Sequence, residues 1–239
     1  MKKFYQTVDL GPLSNGSYTL LLNGKPVQTP ARNQLEIRAM PLAEAVADEW
    51  RSQGDIILPD TMPLSQMAMT LIDRVLPQRP VLMNEALGYL DTDLVCYRAD
   101  EPEVYKAAQE LHWNPFVDWV AETFHESLQV TTGLSPLTQS PALHQKILNF
   151  VTAMTDEEFM AMYLATLGAG SLVMALAFVA GDFSPSQILE ASFVEEKVKD
   201  VMYLSDIYGS APDQERRMKA LFGDLDTLQR FLMLSSGRE

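Results

Sequence analysis

The spacing of apolar residues changes character along the chain. Through roughly the first 40 residues it comes in short alternating runs separated by turn residues. Ser17-Tyr-Thr-Leu-Leu-Leu22 lies between Asn15-Gly16 and Asn23-Gly24. Asn-Gly supplies two adjacent residues that tolerate positive φ, as a two-residue hairpin turn requires. Strands are therefore expected over residues 4–8, 17–22 and 25–29, with a further candidate over 34–38.

From Pro41 the period lengthens to that of a helix. Leu42, Val46 and Trp50 share one face, and Gly54 closes the segment. Pro63 opens a second helix with the stripe Leu64, Met67, Leu71 and Val75, and Pro77 and Pro80 mark the next break. Every strong signal after that is helical. Helices are expected over 81–96, over 102–126 with an interruption at Pro115, and over 141–153. A long core helix is expected from the capping-box pattern Thr155-Asp-Glu-Glu158 to Ala180. Another runs from Ser184-Pro185 through Glu195 and Glu196, and an amphipathic one covers 212–235. The reading is an α+β chain: a small β-rich N-terminal domain with two helices over 1–80, then a larger all-helical C-terminal domain over 81–239. There is no internal repeat.

Composition narrows the function. Of 239 residues, 47% are hydrophobic and 21% charged, which describes an ordinary globular protein. The net charge of −14 and the lack of a Lys/Arg cluster argue against nucleic-acid binding and against anionic membrane surfaces. Tyr163 to Ala180 is about long enough to span a bilayer. It contains Gly168, Gly170 and Ser171, has no basic flank and ends in Gly181-Asp182, so a buried core segment is expected instead of membrane insertion. MKKFYQTVDL lacks both an apolar signal core and an Arg/Ser-rich presequence. The expectation is a bacterial-type cytoplasmic protein, or a mitochondrial matrix protein if a presequence was removed.

Candidate chemistry is sparse. Tyr89-Leu-Asp-Thr-Asp-Leu-Val-Cys-Tyr-Arg98 is the densest stretch. Asp91 and Asp93 form a D-x-D pair that could ligate a divalent cation, although no His or third carboxylate lies close in sequence. The plainer reading pairs these carboxylates with Arg98 or a backbone amide. Cys96, the single cysteine, excludes an internal disulfide and a Cys-based zinc site. It would be a nucleophile only if His112, His125 or His144 approached it. No phosphate-loop, dinucleotide, nucleophile-elbow or metalloprotease motif occurs. No catalytic residue, metal ligand, cofactor or small-molecule substrate is expected on these grounds. Gly168-Ala-Gly170-Ser171 suits close helix–helix approach. Thirteen methionines suit an adaptable apolar surface, but Met67, Met69, Met160, Met162 and Met174 fall in core-like patterns. Glu195-Glu196, with Asp200 one turn on, is an acidic patch that could dock an arginine of a partner.

Several stretches together resemble the Atp12 family of F1 ATP synthase assembly chaperones. They are Phe4-Tyr5, LNGKPVQTPA at 22–31, PLAEAVADEWRSQGDIILPDTMPLSQMAMTLIDRV at 41–75, YLDTDLVCYRAD at 89–100, QELHWNPFVDW at 109–119 and GSLVMALAF at 170–178. The resemblance implies a β-rich domain followed by a helical one and a non-enzymatic role, holding the free F1 α subunit until β replaces it. It also implies a docking glutamate. The family pattern of Asp-Glu, a nearby Gln and then Trp-Gly corresponds here to Val194-Glu195-Glu196-Lys197-Val198-Lys199-Asp200 and Tyr208-Gly209, at a longer spacing. Glu196 takes the place of the family's glutamate, with Glu195 as the competing assignment. Two other readings stay open: a metal-dependent enzyme using Asp91 and Asp93, and an interaction module with a different client.

Overall fold

A computed structural model describes residues 1–133, 135–202 and 212–236. The fold is α+β, with a small three-stranded sheet at the N-terminus followed by helices. The chain divides into two compact units, one comprising Met1–Arg79 with Thr227–Glu239 and the other Pro80–Asp226.

In the first unit, β1 (Val8–Pro12), β2 (Tyr18–Leu22) and β3 (Lys25–Pro26) form an antiparallel meander in that order. Val8 pairs with Leu22 and Leu22 with Lys25. The second Asn-Gly forms the tight turn expected of it: Asn23 and Gly24 take φ of 49° and 77°. The first strand begins at Val8, not Phe4, because the amides of Gln6 and Thr7 donate to the Asn23 side chain. Residues 34–38 contribute only isolated bridges, Gln28 to Gln34 and Tyr18 to Ile37. Helix α1 (Met40–Arg51) lies on the sheet and buries Leu42, Ala43, Val46, Ala47 and Trp50. Each fully buried Leu or Val contributes roughly 1.5–3 kcal/mol. Glu49 on α1 caps α2 (Pro63–Thr70), accepting from the Leu64 and Ser65 amides at 2.8 Å each and from Ser65 Oγ at 2.6 Å.

The expected break at Pro77 and Pro80 does not occur. A π-helical turn at Leu71–Val75 follows α2, and α3 (Leu76–Gly88) then runs through both prolines. Pro77 has no N–H to give to the carbonyl four residues back. The ladder widens just upstream, with the Leu76 amide bonding to Leu71 O, and the helix passes the proline.

In the second unit, α4 (Glu103–Phe124) is flanked by α7 (Leu172–Ala180), α8 (Pro185–Ser192) and α9 (Val194–Met202). It is continuous through Pro115, because Trp113, Phe116, Trp119 and Val120 are all buried on either side of it. Their burial offsets the roughly 3 kcal/mol that an interior proline costs. Helix α5 is Pro141–Ala153 and α6 is Asp156–Ala169; α10, Pro212–Ser236, starts in this unit, and its residues from Thr227 on belong to the first.

Three expected helices are in fact divided. Residues 81–96 leave α-helix at Gly88 and continue as two short 3-10 turns separated by Asp93, whose ψ is 136°. The long apolar segment is two helices. Gly170, at φ 70°, ends α6, and the Ser171 side chain caps the N-terminus of α7. Glu195 and Glu196 do not share a helix with Ser184, because Phe193 leaves helical geometry between α8 and α9. The Thr155–Glu158 capping box forms as read. Among the described residues no helix is long and apolar enough to cross a membrane. Met160, Met162 and Met174 are fully buried, while Met67 and Met69 are half-buried. Gly168 faces Leu221 of α10 so closely that a Cβ there would lie 2.7 Å from the leucine methyl.

Candidate functional site

Helix α9 is fixed by its apolar face. Phe193, Val194 and Val198 are buried, which leaves Glu195, Glu196 and Asp200 half-buried on the rim. Each carboxylate has a partner inside the molecule. Glu195 accepts from Gln109 Nε2 at 3.0 Å, and Asp200 accepts from Gln214 Nε2 at 2.8 Å. Glu196 lies 3.5 Å from Arg217 Nη2, and its side chain is 30% exposed. The Arg217 guanidinium also sits over the Phe193 ring, 5.6 Å from its centre. Lys197 pairs with Glu190 at 2.9 Å, and this bond holds the Glu190 carboxyl below its usual range.

The acidic helix is tied to the central stretch through Gln109. This side chain is 1% exposed, donates to Glu195 and accepts from the Ala99 amide at 2.7 Å. Next to it, Arg98 donates to Val95 O at 2.7 Å, Gln109 O at 3.3 Å and Asn114 Oδ1 at 3.1 Å. Its guanidinium lies 5.2 Å from the centre of the Trp113 ring, and Trp113 donates to Ala191 O at the end of α8. Burial lowers the Arg98 pKa, and these neutral acceptors with the ring take the place of a carboxylate. Gln109 was not singled out in the sequence. Its one signal was a polar residue in register with Trp113, Phe116 and Val120 on an apolar helical face.

Asp91 and Asp93 do not converge. Asp93 is fully buried and accepts from the Val95 amide at 3.2 Å and the Val173 amide at 3.0 Å. Burial pushes its carboxyl up to about 6, while hydrogen bonds from Ser171, Val173, Val95 and Leu172 pull the other way. It is the anchor that joins the central stretch to the N-terminus of α7. Asp91 turns elsewhere, accepting from the Gln139 amide at 2.8 Å and pairing with His144 Nε2 at 3.0 Å. Neither carboxylate pairs with Arg98. Among the described residues no cluster of His, Cys, Asp and Glu is placed to hold a metal ion. Cys96 is buried with Gln139 Nε2 3.6 Å from its sulfur, and burial, with the Asp93 charge, pushes its thiol up to about 12. A thiol so placed is not a nucleophile at neutral pH.

The sequence matches the family model of the ATP12 chaperone protein over residues 2–121, just over half of the chain. This chain belongs to the ATP12 chaperone family. Solved structures agree over nearly its whole length. Atp12 from Paracoccus denitrificans superposes with a TM-score of 0.89 at 27% identity, covering 98% of both chains. An aspartate-to-lysine mutant of the P. denitrificans protein gives 0.88 at 27% identity, covering 98% of this chain and 97% of that one. The Atu1473 protein of Agrobacterium tumefaciens gives 0.87 at 25% identity, covering 98% and 85%. The family match holds the central stretch and most of α4 but ends before α9, so Glu195 and Glu196 rest on the fold alone. Tyr208 and Gly209 lie outside the described residues.

Proposed function

We propose that this protein is an assembly chaperone for the F1 ATP synthase α subunit. It covers the surface that α reserves for its neighbour, and β replaces it. The observation that carries the reading is the family membership, together with a fold shared with Atp12 over 98% of both chains. A subunit released alone exposes a large apolar interface, and such patches aggregate. A chaperone on that interface must protect it and yet be displaced, which favours moderate affinity with polar pairing over a permanent apolar seal. The partly exposed Glu196 and its neighbour Glu195 supply such pairing for a basic group of the client. Asp91 and Asp93 bind different partners, which leaves the metal-site alternative without support from this pair, and the family membership favours a non-enzymatic role. The same reading puts the protein where F1 is assembled: the cytoplasm of a bacterium, or the mitochondrial matrix if a presequence was removed.

Co-expression with F1 α in the absence of β, followed by size-exclusion chromatography, tests the proposal. A soluble complex that dissociates on addition of β is expected. Glu196→Lys should abolish the complex while leaving the melting temperature within a few degrees of wild type. The P. denitrificans mutant shows that an acid-to-lysine change in a relative is compatible with this fold. Aggregation of α as when expressed alone would refute the reading. A different client, recovered by unbiased pull-down, would then make this an interaction module of the same fold.

A further inference from the structure

Helix α4 turns an apolar line away from the protein. Val104, Ala108, Leu111 and Pro115 follow the i, i+4, i+7, i+11 spacing of one helical face. None is buried: Val104 is 45% exposed and Leu111 71%. Asp118 and Glu122 continue the same line, both exposed. Beside it the surface holds two adjoining hollows that share Pro115 and Phe183. The first, of about 330 Å³, lies between α4 and α8 and is floored by Phe116 and Phe183, whose rings stack 4.2 Å apart. The second, of about 430 Å³, is lined by Asp118, Glu122 and Asp182. Each is more than ten times the ~30 Å³ that one water occupies in the liquid.

The chemistry of the two halves specifies their occupant. Asp182 is held in place by Trp119 Nε1, which donates to it at 2.8 Å. Among the described residues neither Asp118 nor Glu122 has an ion-pair partner. Pro115 has no N–H, so the Leu111 carbonyl lacks its usual helical donor. A mainly apolar hollow, with Gln187 and the Lys197-paired Glu190 among its lining, followed by the unneutralised carboxylates of Asp118 and Glu122 fits an apolar side chain followed by a cation. Leu111 and Asp118 are seven residues apart, about 10 Å along the helix. In an extended segment about 10 Å is three residues, with side chains on opposite faces at odd separations, so a shallow turn or a helical i, i+7 pair meets both hollows more readily.

We propose that this groove is a second docking surface for the protein client. Its occupant is a segment with an exposed Leu, Ile, Phe or Met and a Lys or Arg about 10 Å away. The proposal rests on the chaperone reading for the client's identity but not for the groove's chemistry. Complex formation with F1 α is measured for wild type, Leu111→Asp and the double variant Asp118→Lys/Glu122→Lys. All three positions are exposed, so the melting temperatures should match wild type. Each variant should weaken the complex at least about tenfold. Unchanged binding by both variants, with wild type bound, overturns the groove and leaves the chaperone reading intact. If wild type does not hold α, that reading falls, and a photo-crosslinking residue at position 111 of the full-length chain decides the groove in cells. A trapped segment with the apolar–basic spacing supports it; no crosslink, or a trapped segment without a basic residue, refutes it.

Discussion

Asp93 offers a quantitative test of how the central stretch is held. Its carboxyl is raised from an ordinary 3.8 to about 6 by burial. At 1.36 kcal/mol per pH unit the difference is about 3 kcal/mol. Below pH 3.8 the group is protonated in both states and contributes no penalty. Between 3.8 and about 6 the folded protein keeps a proton that the unfolded chain has lost, so this group's contribution to stability falls as pH rises. Above about 6 the whole cost is present. Asp93→Asn removes the titration. It also replaces an acceptor with an NH₂ that must face the Val95 or Val173 amide, leaving a buried donor unpaired at a cost of about 1–3 kcal/mol. The variant should therefore be less stable by about 1–3 kcal/mol near pH 4.5, where the wild-type group is mostly neutral. The gap should shrink by about 2 kcal/mol by about pH 7.5, approaching parity. Urea melts of both proteins across that range measure it. A chain of this length shifts by roughly 2–4 °C per kcal/mol, so thermal melts resolve the effect as well. A difference that stays flat with pH, or widens as pH rises, would refute the assignment of a buried carboxylate with a raised pKa.

Two further outcomes follow from side chains already described. Asp73 accepts from Thr29 Oγ1, the Ala31 amide and Asn33 Nδ2; partial burial raises its pKa, but these bonds outweigh it and hold the carboxyl below its ordinary 3.8. Its stabilisation is therefore present above pH 3.8 and lost as pH falls through the lower folded value. Asp73→Ala should cost about 1–3 kcal/mol at neutral pH in urea melts, and the gap to wild type should close in acid; an equal gap at both would contradict the clamp. Cys96 should resist maleimide near pH 8 in the native protein and react in full once unfolded, read by mass spectrometry; rapid native labelling would show that the thiol is not buried.

How far the sequence revealed the fold depended on whether a signal was local. Asn23-Gly24, the α1 stripe and the Thr155–Glu158 capping box are each decided by neighbours within a turn, and each forms as read. The errors lie where a tertiary partner outweighs the local pattern. Pro77, Pro80 and Pro115 read as breaks, yet a π turn upstream and buried aromatics on both sides carry the helices through. Conversely, Gly170-Ser171 read as an interior helical stretch. Asp93, nearly 80 positions away in sequence, binds the amides that a new helix exposes there, so one helix becomes two.

The candidate site was legible as an acidic patch but not as a network, because its partners come from distant elements. Gln109 and Arg217 decide what Glu195 and Glu196 can do, and neither lies near them in sequence. The difference between the two glutamates matters for docking. Glu195 is bonded to a fully buried amide that also satisfies Ala99, so withdrawing it would leave a buried donor unpaired. Glu196 is paired only at 3.5 Å, with an arginine that is itself 64% exposed. An exposed pair of that kind contributes at most about 1 kcal/mol. Under the proposed docking role, a client cation would displace Arg217 from Glu196 at little cost, and Arg217 would return when the client leaves. Reversible exchange of one cation for another is the property that a temporary seal would require, and these contacts favour Glu196 over Glu195 for the proposed role.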